Sequence, residues 1–361
     1  MASSSSRLVF TGGSDFFATL RARVDQHLGE RRRDSDPRLY RKAGLIAAWF
    51  VTSYLLLLTA RAGPVEFLLL VSYALAACAL SFNVFHDANH GSFSSSRRVN
   101  LLISRLTCVA LGPSRYLWLQ QHQVLHHVFT NVFEWDDDIE TRGHLRLSPR
   151  QPWQPKFRYQ HRFFVFFYAL ATVEWLFVKD FLQYFRLRMT HRPIPLMSRN
   201  DKVEFWVSKA LYFAIFVGLP FLFLPSKRVV EGLLLFHSIL GLAIAFILRI
   251  AHGTEKVEFP VPTGNYPGTI NDEWAAHEMR TTVNFATTNR LLSWFSGGLN
   301  FQIEHHLFPT LSHTNYPDIS PIVRRTAAEF GLPYNLHATY IGAVRSHYRF
   351  LRHLGQEPRR A

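Results

Sequence analysis

Seven of the 18 histidines in this chain fall into three short clusters. The clusters are His86-x3-His90, His122-x3-His126-His127 and Gln302-x2-His305-His306. Residues three or four apart on a helix lie on one face, about 5–6 Å from each other. That separation lets two imidazoles bind one metal ion or two neighbouring ions. Because imidazole is a good ligand for zinc, copper, iron and nickel, the spacing predicts a metal site.

Four apolar segments could position these clusters, since a membrane-spanning helix needs about 20 mostly apolar residues. The predicted spans cover residues 43–60, 64–85, 205–224 and 229–251. Short loops join the first span to the second and the third to the fourth, which predicts two helical hairpins. The sequence therefore indicates an all-α membrane protein of four transmembrane helices.

The distribution of cations predicts how the spans are oriented. Nine Lys and Arg precede the first span, sixteen lie in residues 91–204, ten follow residue 251, and the two hairpin loops hold one and two. Cytoplasmic loops collect Lys and Arg, so both termini and the long middle segment are expected in the cytoplasm. The net charge of +14 is then explained by a membrane surface, and no nucleic-acid partner is predicted. We expect residues 1–42 to form a cytoplasmic N-terminal tail and residues 43–361 the membrane domain.

Two further apolar stretches do not qualify as spans. Residues 101–111 are too few and include Arg105, and residues 163–178 include Glu174. Both are predicted to be interfacial or re-entrant helices on the cytoplasmic side. If the second stretch did cross the membrane, the orientation of everything after it would invert.

This topology places all three clusters on one side, together with His252 at the cytoplasmic end of the last span. Eight histidines are too many for one structural zinc, which takes four ligands. The Glu-x-x-His pairs of carboxylate di-iron proteins do not occur. The interpretation that remains is a cytoplasmic helical cap holding two irons that react with O2.

His277 is left open as a ligand or a neighbour, and His237 is expected to make a helix–helix contact. The other histidines are expected to be solvated or to pack: His27, His144, His161, His191, His313, His337, His347 and His353.

At these residues the chain resembles the membrane fatty acid desaturase family, over about residues 82–321. The matching motifs are His86-Asp-Ala-Asn-His90, His122 to Asn131 followed by Asp136-Asp-Asp-Ile139, and Gly297-Gly-Leu-Asn-Phe-Gln-Ile-Glu-His-His306. Gln302, in place of a histidine, is typical of front-end and linoleoyl-CoA-type desaturases and of related sphingolipid desaturases. The resemblance implies that the metal ligands are His86, His90, His122, His126, His127, His252, His305 and His306. Gln302 is implied to be a ligand or a neighbour of one.

The resemblance also implies the reaction and its participants. Two Fe ions would activate O2 and introduce a cis double bond into a fatty acyl-CoA or acyl-lipid substrate. The first 42 residues lack the His-Pro-Gly-Gly motif of a fused cytochrome domain, so a separate cytochrome b5 or ferredoxin, with its reductase, is the expected electron donor. Candidate walls of an acyl tunnel are Trp118, Phe301 and Phe308. Candidates to orient the ligands are Asp87, Asp137, Asp138, Glu304, Asn131, Asn284 and Asn300.

Two alternatives stay open. The same histidines could support hydroxylation of an acyl chain or a sphingolipid. A metal-binding membrane transporter is disfavoured, because a transporter places polar groups at mid-membrane and the spans look nearly bare apart from His237.

Overall fold

A computed structural model describes residues 8–29, 37–189, 192–264 and 267–357, and within them the chain is mostly helical. His191 lies outside the described residues. The helices are α1 Phe16–Leu28, α2 Pro37–Thr59, α3 Pro64–Leu80, α4 His86–His90, α5 Arg97–Leu111, α6 Arg115–Trp118, α7 His127–Phe129, α8 Gln160–Glu174, α9 Asp180–Arg186, α10 Arg199–Tyr212, α11 Ser226–His252, α12 Trp274–Thr281, α13 Arg290–Phe295, α14 Gln302–Leu307, α15 Tyr316–Glu329 and α16 Tyr340–Gly355. Six two-residue strands are β1 Val9–Phe10, β2 Arg188–Met189, β3 Arg192–Pro193, β4 Thr269–Ile270, β5 Asn284–Phe285 and β6 Leu336–His337.

Four helical segments are long and apolar enough to cross a membrane. They are Pro37–Thr59, Pro64–His90, Arg199–Leu222 and Ser226–His252. The prediction of four spans is confirmed, although each helix begins before the predicted limit or continues past it. The apolar pattern marks only the stretch that faces lipid, whereas backbone hydrogen bonding continues into polar sequence. As a result, the helix of the second span carries the first histidine cluster.

Wider π-helical turns interrupt several helices. They are Ser81–Phe85, Leu119–His126, Trp175–Lys179 and Phe213–Gly218. A π-helical turn inserts an extra residue and re-aims the side chains that follow it, and such turns often occur at functional sites. Here the first directly precedes His86 and the second contains His122 and His126.

The last span, α11, lies between other helices, while α2 packs on α3. Helix α11 contacts α3 on one side and α8 on another, and Tyr212 of the third span reaches it through a 3.3 Å hydrogen bond with His237. At Gly241 a Cβ atom would lie 2.6 Å from the carbonyl oxygen of Tyr168, so glycine is needed for the close approach of α8 to α11. His237 thus makes the helix–helix contact that was predicted for it.

The second of the two shorter apolar stretches is longer than predicted. It extends through α8, a π-helical turn and α9, so residues 160–186 are continuously helical and pack along α11. The first stretch forms α5, which Ser96 caps by accepting from the backbone NH of Val99. How either stretch lies relative to a bilayer stays a prediction.

The predicted N-terminal tail needs revision. The side chains of Phe16, Leu20, Val24 and Leu28 lie on one face of α1 and are buried against α15. Residues 8–29 are therefore part of the folded unit, because an apolar residue at every fourth position gives α1 a face that must be covered. The first span already begins at Pro37.

The spans also contain more polar groups than predicted. Lys209 lies inside the third span, and its side chain is only 2% exposed. It forms an ion pair of 2.7 Å with Asp180 of α9. This ion pair joins the third span to α9. A polar group with that structural role gives no support to the transporter alternative.

Candidate metal centre

All eight predicted ligands meet in one place. The second span brings His86 and His90, the π-helical turn before α7 brings His122 and His126, and His127 begins α7. His252 is the last residue of α11, and α14 carries His305 and His306. Each of the eight exposes 8% or less of its surface.

Their ring nitrogens form two neighbouring groups. Within each group the candidate ligand atoms lie no more than 4.8 Å from one another. One group contains His86, His90, His122 and His305, and the other contains His126, His252 and His306. His127 groups with His305 and His306, so it stands between the two. The histidines can therefore hold a metal ion.

Most of the rings turn Nδ1 outward to a fixed partner. His126 Nδ1 lies 3.1 Å from both carboxylate oxygens of Asp136. His306 Nδ1 is 2.7 Å from Glu278 Oε2, and His305 Nδ1 is 3.1 Å from the hydroxyl of Tyr316. Such partners fix the orientation of a ring and make it a better ligand.

Weaker contacts hold three more rings. His86 Nδ1 is 3.5 Å from the carboxylate of Asp87, and His252 Nδ1 is 3.4 Å from the carbonyl of Thr281. At His90 the direction is reversed, because the amide NH2 of Gln123 donates to Nδ1 at 3.4 Å. With Nδ1 anchored, Nε2 of each ring points toward the centre of the cluster.

The inward nitrogens are what a metal requires. Nε2 of His86, His90, His305 and His306 is buried and has no hydrogen-bond partner among the described residues. A buried polar atom without a partner costs about 1–3 kcal/mol, so four of them in one place would be unfavourable without a ligand. A metal ion supplies the missing interaction, and the all-nitrogen donor set fits iron.

Burial favours the neutral imidazoles that bind metals. It lowers the pKa of His122 to about 3, against the opposing effect of Asp138. Burial, followed by neighbouring imidazoles, holds the pKa values of His305 and His306 well below their usual range. Burial also lowers the pKa of His126, but Asp136 and Asp138 outweigh it and raise that pKa to about 9.

A cavity of about 990 Å³ opens beside the histidines. His86, His122, His126 and His252 all line it. Apolar side chains continue its wall along α11 from Leu248 through Ile244 to Leu240, and the facing wall includes Trp175 and Leu176. From His252 to Leu240 is twelve residues, or about 18 Å of helix. Cationic and acidic side chains also line it, including Arg142, Glu174, Lys179 and Arg186.

Comparison with known proteins agrees with this arrangement. The sequence profile of the fatty acid desaturase family matches residues 62–338. The chain belongs to this family. It is 34% identical over 355 residues to the sn-1 linoleoyl-lipid 6-desaturase of Synechocystis sp., covering 97% of this chain and 98% of that protein.

Other relatives are also front-end or acyl-lipid desaturases. The sn-1 linoleoyl-lipid 6-desaturase of Arthrospira platensis is 33% identical, with 99% of this chain and 97% of that protein covered. The acyl-lipid (8-3)-desaturase of Physcomitrium patens is 31% identical, with 94% and 72% covered. The protein is thus a fatty acid desaturase of the front-end type, and the three predicted histidine clusters are those of its family.

Some residues predicted to orient the ligands lie beside the rings of the proposed ligands. Asp138 lies 3.8 Å from His122 Nδ1 and 3.5 Å from His126 Nδ1. Asp87 contacts His86 and also pairs at 2.6 Å with His313. His313 is buried and orders that carboxylate, which is a more specific role than the packing predicted for it.

Other predicted residues do not reach an imidazole. Asp137 forms an ion pair of 2.7 Å with Lys179, because the loop turns the neighbouring Asp136 and Asp138 toward the histidines instead. Asn284 donates to Glu304 at 2.7 Å. Asn284 also accepts from the backbone NH of Ile303 at 2.9 Å, which secures α14, and Asn300 donates to the hydroxyl of Ser293 at 2.9 Å.

Gln302 lies inside the cluster, whereas His277 lies beside it. The amide nitrogen of Gln302 is 3.1 Å from Nε2 of His252, and Gln302 lines the cavity. His277 joins none of the metal-binding groups found among the described residues, and its ring packs edge-on against Phe10 at 5.2 Å.

Two of the three predicted tunnel walls are wrong. Trp118 lines the cavity and packs 4.4 Å from the ring of His122. Phe301 and Phe308 instead belong to the apolar core under α1 and α15, where Phe308 meets Phe17 at 5.9 Å. Within residues 301–308 it is Gln302 that lines the cavity.

Three orienting residues were missed. Glu278 lies in α12 and Tyr316 begins α15, and neither belongs to a motif that the sequence made visible. Asp136 belongs to the second motif but was not among the residues predicted to orient a ligand. Its position next to Asp137 and Asp138 in the second motif is the one feature of the sequence from which its role could have been predicted.

Proposed function

We propose that this desaturase inserts a cis double bond at position 6 of a linoleoyl chain carried on a membrane lipid. Two relatives that match the chain almost from end to end are named for that activity. Relatives named for a different position, the acyl-lipid (8-3)-desaturases, are 31% and 29% identical. Acyl-lipid is proposed over acyl-CoA because the names of these relatives specify a lipid.

The cavity is the observation that carries this proposal. It joins the histidines to an apolar channel along α11, and its polar side chains lie on the segments around Arg142 and Arg186. An alkyl chain would lie against Leu240, Ile244 and Leu248, and the lipid headgroup would remain near the polar residues. Since an alkyl chain has no polar group near its reacting carbons, the walls must do the positioning.

The proposed ligands of two irons are the eight histidines described above. When bound, the irons would supply the O2 activation that hydrogen removal from adjacent methylenes requires. The protein contributes the orientation of each ring: Asp136, Glu278 and Tyr316 hold Nδ1. Trp118 and the apolar walls exclude water from the reacting carbons, which protects the site from side reactions.

The desaturase also needs electrons and an orientation in the membrane. We propose a separate cytochrome b5 or ferredoxin, with its reductase, as the donor. The excess of cations outside the hairpin loops supports a cytoplasmic location for both termini and for the metal centre. A basic surface there would suit an acidic donor.

The test is expression in a host that lacks polyunsaturated lipids and is fed linoleate. Mass spectrometry of derivatised fatty acids should find a product that has lost two hydrogens, with the new bond at position 6. A product that has gained one oxygen would indicate a hydroxylase instead. His126→Ala should abolish the product, whereas His353→Ala, at an exposed histidine, should not.

A further inference from the structure

A buried lysine in the third span binds two separate parts of the chain. Lys209 lies ten residues after the start of α10 at Arg199, which is about 15 Å of helix. Its ammonium group donates to the carbonyl of Gly112 at 2.7 Å, to the carbonyl of Leu176 at 3.0 Å and to Asp180 Oδ2 at 2.7 Å. All three of its donors are therefore used.

These acceptors come from two segments that are distant in sequence. Gly112 ends α5, whereas Leu176 lies in a π-helical turn and Asp180 begins the helix after it. Asp180 also accepts from the backbone NH of Ser114 at 2.9 Å. The pair thus fastens the chain after α5 to the π-helical turn between α8 and α9.

Both fastened segments form walls of the cavity. Leu111 and Pro113, on either side of Gly112, line it, as do Trp175 and Leu176 of the π-helical turn. Lys209 and Asp180 themselves do not appear in the lining. They hold the walls from behind and would not touch an acyl chain.

Stability alone gives little reason for such a pair. Well-packed apolar residues of similar volume often replace a buried ion pair without loss of stability. Charged side chains inside a membrane are costly and usually functional. What an apolar replacement could not reproduce here is the directional contact with three fixed oxygen atoms.

We propose that Lys209 and Asp180 are positioning residues that determine which methylenes of the acyl chain lie beside the metal centre. The proposal rests on the proposed function, since it needs the acyl chain in this cavity. A wall that moves by one methylene would present a different carbon pair. A misfit of one methylene changes selectivity by about 10- to 200-fold.

The test compares Lys209→Met with the double variant Lys209→Met/Asp180→Asn, which leaves no unpaired buried charge. Lys202→Met is the matched control, because Lys202 is exposed on the same helix. Each protein is expressed with linoleate and with longer and shorter acyl chains. The readouts are the position of the new double bond, the preferred chain length and the metal content per chain.

We expect metal content to stay at the wild-type level in both variants, because the pair contacts no histidine of the cluster. The ratio of the native positional isomer to shifted isomers should fall about tenfold, with a matching change in preferred chain length. Unchanged positions and chain lengths with only a smaller yield in the double variant would overturn the proposal. Wild-type protein that forms no bond at position 6 would instead count against the proposed function.

Discussion

Glu278 is the strongest test of how the metal centre is held. Its carboxylate is fully buried and lies 2.7 Å from His306 Nδ1, and it also accepts from the hydroxyl of Thr130 at 2.9 Å. Burial raises its pKa well above the usual range, so a carboxylate there is stable only beside a compensating positive charge. A metal ion behind His306 would provide that charge.

We expect Glu278→Gln to weaken metal binding about 10- to 100-fold. A hydrogen bond to a charged group contributes about 1.5–3 kcal/mol, and each 1.4 kcal/mol corresponds to a tenfold change in affinity. The loss of affinity should be near the lower limit of this range, since the amide oxygen of glutamine can still accept a hydrogen bond from His306. Replacing an outer partner of a ligating histidine typically has an effect of this size.

The assay is competition between purified protein and a chelator for ferrous iron, without oxygen, followed by measurement of iron per chain. Glu304→Gln is the matched control. Glu304 is an equally buried carboxylate, but its partners are Asn284 and Tyr334. If Glu278→Gln holds iron as tightly as Glu304→Gln and wild type, the reasoning about His306 is refuted.

Three further outcomes are expected. His277→Phe should keep full metal content, and its melting temperature in detergent should not fall, because both ring nitrogens of this buried histidine lack a hydrogen-bond partner among the described residues and Glu278 Oε1 is 4.0 Å from Nε2. Ala171→Phe should place a ring in the cavity and abolish desaturation while iron is retained; Ala214→Phe, exposed on the third span, is its control. His313→Ala should cost about 2 kcal/mol by removing the 2.6 Å partner of buried Asp87, measured as a lower melting temperature.

The spans and the histidine clusters could be predicted because both are local properties of the sequence. A run of apolar residues defines a span by its length, and a spacing of three or four residues defines one helical face. The burial of one face of α1 could have been predicted in the same way, because Phe16, Leu20, Val24 and Leu28 are regularly spaced. The high proportion of Arg around these residues makes the region resemble a solvated tail.

The partners of the ligands could not be predicted in the same way. Glu278 is 28 residues from His306 in sequence, and no pattern connects them. In the loop after the second cluster, Asn131 and Glu134 adopt positive φ angles of 62° and 68°. The side chains of this loop therefore do not alternate regularly between two faces. For that reason the sequence does not predict which of the three consecutive aspartates faces an imidazole.

The distribution of charge around the cluster explains why these partners are acids. Imidazole ligands are neutral, so two ferrous ions would bring four positive charges into a buried site without compensation. Four carboxylates lie within 3.8 Å of Nδ1 atoms of the proposed ligands, one layer further out: Asp87, Asp136, Asp138 and Glu278. Their charge equals that of the two ions. In carboxylate di-iron proteins the same compensation comes from the ligands themselves. Asp138 also lines the cavity, whereas Asp87, Asp136 and Glu278 lie behind the histidines, so the wall of the cavity along α11 can remain apolar enough for an alkyl chain.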